Sequence, residues 1–225
     1  MKTVLGILIF IGISSVSVAQ LAYARYQTLG HAEGYLPDEY HVLSYPEGII
    51  CYEKLSSTQI ESSIRSNFCG NVYSCLSREG CYRDTIPFQE FEFTGEKRPF
   101  MNFMAEKALS FFRGYHWAVW FCEDLDANLT PWKIRGLPGA IVELINLDRT
   151  EIGFTLVEVQ IPAKVQLPYT EPECSKWISL KTIMEKTIKY DLRFAAYMNT
   201  AMPESNGTIV AESQIFAFEK FDAIK

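Results

Sequence analysis

The sequence predicts an α+β fold, a mostly antiparallel β-sheet in the form of an open half-barrel with two helices added. Short runs of β-branched and aromatic residues recur along the chain, turn residues separate them, and only two segments place apolar residues at helical spacing.

The elements follow in order. Residues 21–28 and 49–52 are short β-prone runs, the second entered through a Pro46-Glu47-Gly48 turn. Thr58 and Glu61 have capping-box spacing, and Ile60, Ile64 and Phe68 follow four residues apart, which predicts a short amphipathic helix ending near Cys69-Gly70. Phe88, Phe91 and Phe93 lead into a second aromatic region over 111–121, both suited to strands. Residues 140–147 and 152–161, joined by Asp148-Arg149-Thr150-Glu151, form the clearest hairpin. Ser179 is placed to cap a second helix carrying Ile183, Met184, Ile188, Leu192 and Ala195 and ending near Asn199. Ser205-Asn206-Gly207 then turns the chain into a last strand over 208–218.

Residues 1–19 read as a cleavable signal peptide. Lys2 supplies a basic start, 4–13 an apolar run, and Ser17-Val18-Ala19 the small residues before the cut. The apolar run is far shorter than the roughly 20 residues of a spanning helix, so the mature chain is expected to have no transmembrane segment. Gln20, not cysteine, follows the cut, which argues against a lipid anchor there. Residues 20–225 are expected to form a single β-rich domain. Loss of Lys2 leaves 20 basic against 27 acidic residues, a formal charge of −7, which speaks against nucleic acid and anionic membrane surfaces as partners.

All six cysteines, Cys51, Cys69, Cys75, Cys81, Cys122 and Cys174, follow the leader, and export would carry them into an oxidising compartment. Cys69, Cys75 and Cys81 cluster in a Gly- and Ser-rich stretch, so at least one disulfide is expected to involve one of the three. Zinc is disfavoured because no CxxC pair occurs and the three histidines are scattered. No cofactor is expected.

Residues 111–147 hold three of the four tryptophans and the tightest turn chemistry. Pro138 suits the second position of a type II turn and Gly139 the positive φ at its third, so residues 137–140 are expected to reverse the chain. Gly136 would admit a close neighbour, and Trp132 would lie against Leu137 or Ile141. Lys133 and Arg135 then read as neighbouring charges whose removal changes stability by no more than about 0.5 kcal/mol. Whether this motif is a structural turn or a ligand- or partner-facing loop is open at this point, because pocket-lining aromatics look alike in sequence.

Gly136-Leu137-Pro138-Gly139, after Pro131-Trp132-Lys133-Ile134 and before Ala140-Ile141-Val142-Glu143, resembles the signature of the GLPGLI family of exported Bacteroidetes proteins. Upstream, Phe112-Arg113-Gly114 with Trp117-Ala118-Val119-Trp120-Phe121 resembles that family's other recurring aromatic block. Ala140, Thr130 and Cys122 stand where the family usually has Leu, Gly and Thr. The resemblance implies a signal peptide, a cell-envelope location and association with TonB-dependent transport genes. It implies no established reaction and no catalytic residues. Asp84-Thr85-Ile86 also resembles the Asp-Thr-aliphatic O-glycosylation acceptor of Bacteroidetes, and reads equally as a polar turn before Pro87.

Asp124, Asp126 and Asn128 imitate the start of a calcium loop, but Leu129 and Arg135 stand where Gly and a bidentate Glu are needed. No GxSxG, HExxH, P-loop or dinucleotide fingerprint occurs. The expected function is therefore non-catalytic binding of an outer-membrane or periplasmic partner or of an apolar ligand. The alternative is an enzyme without a linear motif. A buried cleft joining His116 to a carboxylate would favour the enzyme, and an open apolar cavity would favour binding.

Overall fold

The hairpin expected over 140–161 sits at the middle of the architecture, in a computed structural model of the full chain. The structure describes residues 22–29, 39–45, 48–54, 61–69, 72–77, 80–125, 129–150, 152–165, 174, 176–186, 188–189 and 193. The signal peptide, Asp126, Asn128, the expected helix end near Asn199 and the expected last strand lie outside the described residues.

Twelve strands are described: β1 (Ala22–Leu29), β2 (Glu39–Tyr45), β3 (Gly48–Lys54), β4 (Glu61–Cys69), β5 (Val72–Ser77), β6 (Gly80–Thr85), β7 (Glu92–Phe100), β8 (Phe103–Phe112), β9 (Tyr115–Cys122), β10 (Ala140–Asn146), β11 (Gly153–Gln160) and β12 (Trp177–Ser179). They form one sheet in the order β12-β6-β5-β4-β3-β2-β1-β11-β10-β9-β8-β7. Two meanders, β1 to β6 and β7 to β11, are joined where β1 pairs antiparallel with β11. The remaining pairs are antiparallel too, except β12, which lies parallel to β6.

The sheet is not closed, yet it must curl. Ten strand spacings of about 4.8 Å would put β6 and β7 roughly 48 Å apart in a flat sheet. The connection over residues 86–91 can reach only about 25 Å when extended. Curling brings β6 towards the turn between β8 and β9. The concave side holds the main core, in which Tyr26, Trp117, Phe121, Leu144 and Phe154 are fully buried. On the opposite face Tyr23, Leu43 and Tyr45 form a smaller cluster, covered by Ala163 and Val165 after β11.

Two expectations need correction. Residues 61–69 are strand β4, paired with β3 on one side and β5 on the other, where a helix was expected. A spacing of four residues repeats on one face of a helix and equally on one face of a strand, and ladder bonds on both sides decide for the strand. The described residues accordingly contain one helix, not two. That helix starts at Leu180, as expected, with the Thr182 amide donating to the Ser179 hydroxyl at 3.1 Å. It packs Leu180 and Met184 against Tyr82 of β6.

The expected disulfide joins Cys81 to Cys174, tying β6 to the segment that leads into β12. Cys122 is a free, buried thiol, so the six cysteines cannot all pair within the chain. Burial pushes its pKa up.

Candidate functional site

Most of the motif faces inward: Trp132, Lys133, Leu137 and Gly139 are buried, Arg135 is half-buried, and Gly136 and Pro138 are exposed. Residues 129–139 run from β9 to β10 along the concave side of the sheet, and Leu129, Trp132, Ile134 and Leu137 all join the main core. The loop is held through its backbone. The Tyr26 hydroxyl lies 3.0 Å from the Leu129 carbonyl and 2.8 Å from the Ile141 carbonyl, so its one proton serves either. The Ile141 amide donates to Leu129, and the Thr130 hydroxyl reaches the Ile134 carbonyl at 2.9 Å. From the 86–91 connection, Gln89 donates to the Lys133 carbonyl and accepts from the Arg135 amide.

Two glycines exchange their expected roles. Gly136 has φ +100°, with only Phe91 near the position of a Cβ, so it supplies the left-handed backbone. Gly139 does not have positive φ, which removes the type II turn expected there. A Cβ on Gly139 would lie 1.9 Å from the Cys122 carbonyl oxygen, so this glycine allows β9 and β10 to begin pairing. Pro138 is exposed. Trp132 packs against Phe112 and Trp117, with ring centroids 5.6 Å and 5.2 Å away, and shares the core cluster with its expected neighbours Leu137 and Ile141.

Lys133 also departs from expectation. It is 1% exposed, its ammonium 2.9 Å from Asp84 Oδ2 and 4.8 Å from the centre of the Tyr73 ring. Arg113 takes the other oxygen of Asp84 at 2.7 Å. Arg113 and Gly114 both have positive φ, 54° and 84°, which makes Phe112-Arg113-Gly114 the entry to a type I′ hairpin turn. Asp84 thus pins β6 to the β8–β9 turn and to the motif loop, across the gap that the sheet leaves unclosed. Thr85 beside it is exposed, whereas Asp84 and Ile86 are buried. Arg135, next along the loop, is half-buried. Trp120 of the aromatic block faces the other side, where Arg98 lies over its ring on the way to an ion pair with Glu143.

Among the described residues, a groove of about 720 Å³ opens at the ends of β7 to β10. Its apolar lining includes Phe88, 91% exposed, and Phe111, 64% exposed, together with Leu147. Glu90, Glu92 and Asp148 line it too. No basic side chain among the described residues pairs with Glu90 or Glu92.

His116 lines the groove beside Phe111, with ring centroids 4.9 Å apart. It meets a carboxylate, since Asp148 lies 3.2 Å from its Nδ1 and accepts its backbone amide at 2.7 Å. The pair is open to solvent, with side chains 63% and 38% exposed. Ser110 lines the same groove, but its hydroxyl donates to the Glu90 carbonyl at 2.9 Å. A histidine oriented by a carboxylate is therefore present without a hydrogen-bonded nucleophile among the described residues. Asp148 works within the turn, where Asn146 Oδ1 accepts the amides of Asp148 and Arg149.

No protein-family model and no curated protein matches the chain. Among solved structures, PNGF-II is similar in two crystal forms. One has a TM-score of 0.48 at 14% identity over 75% of this chain, and the other 0.44 at 14% identity over 74%. The chain spans about a third of PNGF-II, 34% and 32% in the two cases. An uncharacterised conserved protein from Thermus thermophilus matches with a TM-score of 0.43 at 12% identity, over 72% of this chain and 91% of its own. Likenesses at this level carry no functional argument.

Of the residues singled out in the sequence, Trp132, Leu137, Phe112 and Trp117 come together in the core, and Lys133 reaches Asp84. The groove residues Phe88, Glu90, Phe111 and Leu147 come from separate segments and were not proposed as a site. A signal was available for Phe111. Adjacent residues of a strand face opposite ways, so with Phe112 inside, Phe111 has to point outward.

Proposed function

We propose that this chain is an exported cell-envelope protein of the GLPGLI type, with a non-catalytic binding or accessory role alongside TonB-dependent outer-membrane transport. Its sheet is read as an open half-barrel whose interior is filled by the motif loop, so binding falls to the outside. The observation that carries this reading is the groove, where Phe88 and Phe111 stand in water beside Leu147. Large aromatic side chains left exposed together in a concavity mark an interaction site. In this reading the GLPG-like segment is scaffold, and its aromatic residues support the groove from behind.

The His116–Asp148 pair is the feature that favours an enzyme. Its exposure and the engagement of Ser110 with a backbone carbonyl weigh against it.

The test is capture from native envelopes with wild-type protein and a Phe88→Ser/Phe111→Ser variant, with partners and co-purifying small molecules identified by mass spectrometry. Loss of a specific partner or ligand in the variant, with unchanged melting, supports the reading. Identical capture by both proteins refutes it. Intact-mass analysis of exported protein should place Gln20 first, and retention of Met1 would overturn the export assignment.

A further inference from the structure

We propose that the groove at the ends of β7 to β10 receives an extended polypeptide segment in which basic side chains flank apolar ones. The inference rests on the binding role proposed above and names the chemistry of the occupant.

Charge complementarity and the layout of the acidic groups argue for that occupant. Glu90 and Glu92 stand at the β7 side, and Asp148 stands beyond the end of β10, with Phe111 and His116 of the intervening strands between them. Three strand spacings separate β7 from β10, about 14 Å. One compact amine cannot meet both sides, whereas about four residues of extended chain span that distance. Basic side chains about four positions apart would then reach the two acidic ends. Alternate residues of an extended chain face the same way, so an apolar side chain midway between them would cover Phe88, Phe111 and Leu147, the part of the groove with most apolar area to lose from water. Glu90 and Glu92 have no basic partner among the described residues, so a ligand cation does not have to displace one there, whereas at Asp148 it shares the carboxylate with His116. The same acidity disfavours an anionic lipid surface.

The experiment is calorimetric titration of the folded mature protein with three capped peptides. The first is Lys-Ser-Phe-Ser-Lys, the second has Gln at both Lys positions, and the third has Glu there. N-phenyl-1-naphthylamine serves as a neutral apolar probe. The expected result is affinity in the order Lys, Gln, Glu, with about tenfold between the extremes, narrowing as salt rises. Glu90→Gln/Glu92→Gln should weaken the Lys peptide about fivefold and leave the Gln peptide unchanged. Both glutamates are exposed, so this variant should melt like wild type.

Equal binding of the Lys and Glu peptides, or no effect of the double variant, overturns the proposal. In that case, binding of the Gln peptide or the neutral probe that is lost in Phe111→Ser leaves the groove a binding site of another specificity. If neither the peptides nor the neutral probe binds, both the proposal and the groove's binding role fall.

Discussion

Replacing Lys133 should cost the protein far more than a surface lysine would. Its ammonium is buried against Asp84, whose other oxygen holds Arg113, and two tyrosine rings lie within 6 Å, Tyr73 at 4.8 Å and Tyr82 at 5.6 Å. Arg113 still compensates Asp84 when Lys133 is removed, so the loss is that of one buried charge-assisted hydrogen bond, about 1.5–3 kcal/mol. In a domain of this size each kcal/mol lowers Tm by roughly 2–4 °C, so Lys133→Met should melt about 3–12 °C below wild type. Methionine keeps most of the aliphatic stem, which confines the loss to the charge. Asp84→Ala should cost as much or more, since it takes the shared anion from both Arg113 and Lys133. Arg135→Ala, at a half-buried neighbour, is the comparison and should stay within about 1 kcal/mol of wild type. Thermal unfolding followed by circular dichroism measures all three. If Lys133→Met melts within about 2 °C of wild type, the buried cluster does not fasten the motif loop to β6, and the scaffold account of the motif fails.

Gly139→Ala should destabilise by about 3 kcal/mol or more, since its Cβ would strike the Cys122 carbonyl. Gly136→Ala should cost only the strain of its positive φ, about 1–3 kcal/mol, and urea unfolding that reverses this order would return the glycines to the roles first expected. The Cys81–Cys174 disulfide closes a separation of 93 residues, so the double serine variant should lose about 2–4 kcal/mol; unchanged melting would show the bond to be dispensable. The Tyr23 pKa is pushed up to about 12, by burial first and then by Glu158. Its folded form therefore keeps the proton while the unfolded chain gives it up near pH 10, so this contribution is intact below pH 10 and is lost between about pH 10 and 12. Urea midpoints of wild type and Tyr23→Phe should converge across that window, and parallel curves would contradict the assignment.

The sequence was most readable where local chemistry and final structure agree. The hairpin of β10 and β11 follows from branched residues on both sides of Asp148-Arg149-Thr150, and the Ser179 cap from a hydroxyl before an apolar periodicity. It was ambiguous where two periods coincide, as at Ile60, Ile64 and Phe68, because only the pairing of β4 with its neighbours selects the strand. The Lys133 environment was hidden for a different reason. Its counter-ion lies 49 residues earlier in the chain, and nothing near Lys133 announces that the loop turns inward. The two glycines show the same limit, since local sequence does not say whether a glycine serves a dihedral angle or a close approach. The groove is the extreme case, assembled by the curl of the sheet from segments with no common pattern.

The seam between β1 and β11 carries a consequence for how the chain reaches this state. Every other antiparallel pair joins strands adjacent in sequence, whereas Tyr26 and Leu156 must find each other across most of the described chain. Each meander can zip from its own turns, and the long-range union is the slow step that topology imposes. Until it happens, β1 is a bare edge able to recruit strands from other molecules. Its irregular register between Arg25 and Tyr26, with a cation in the middle of the strand, blunts that edge while it waits. Tyr26 then reaches the Leu129 and Ile141 carbonyls only once β1 has docked, so the motif loop gains its final order with the union of the two halves. Amide exchange at Ile141, whose hydrogen bond to Leu129 lies under that hydroxyl, would time the event.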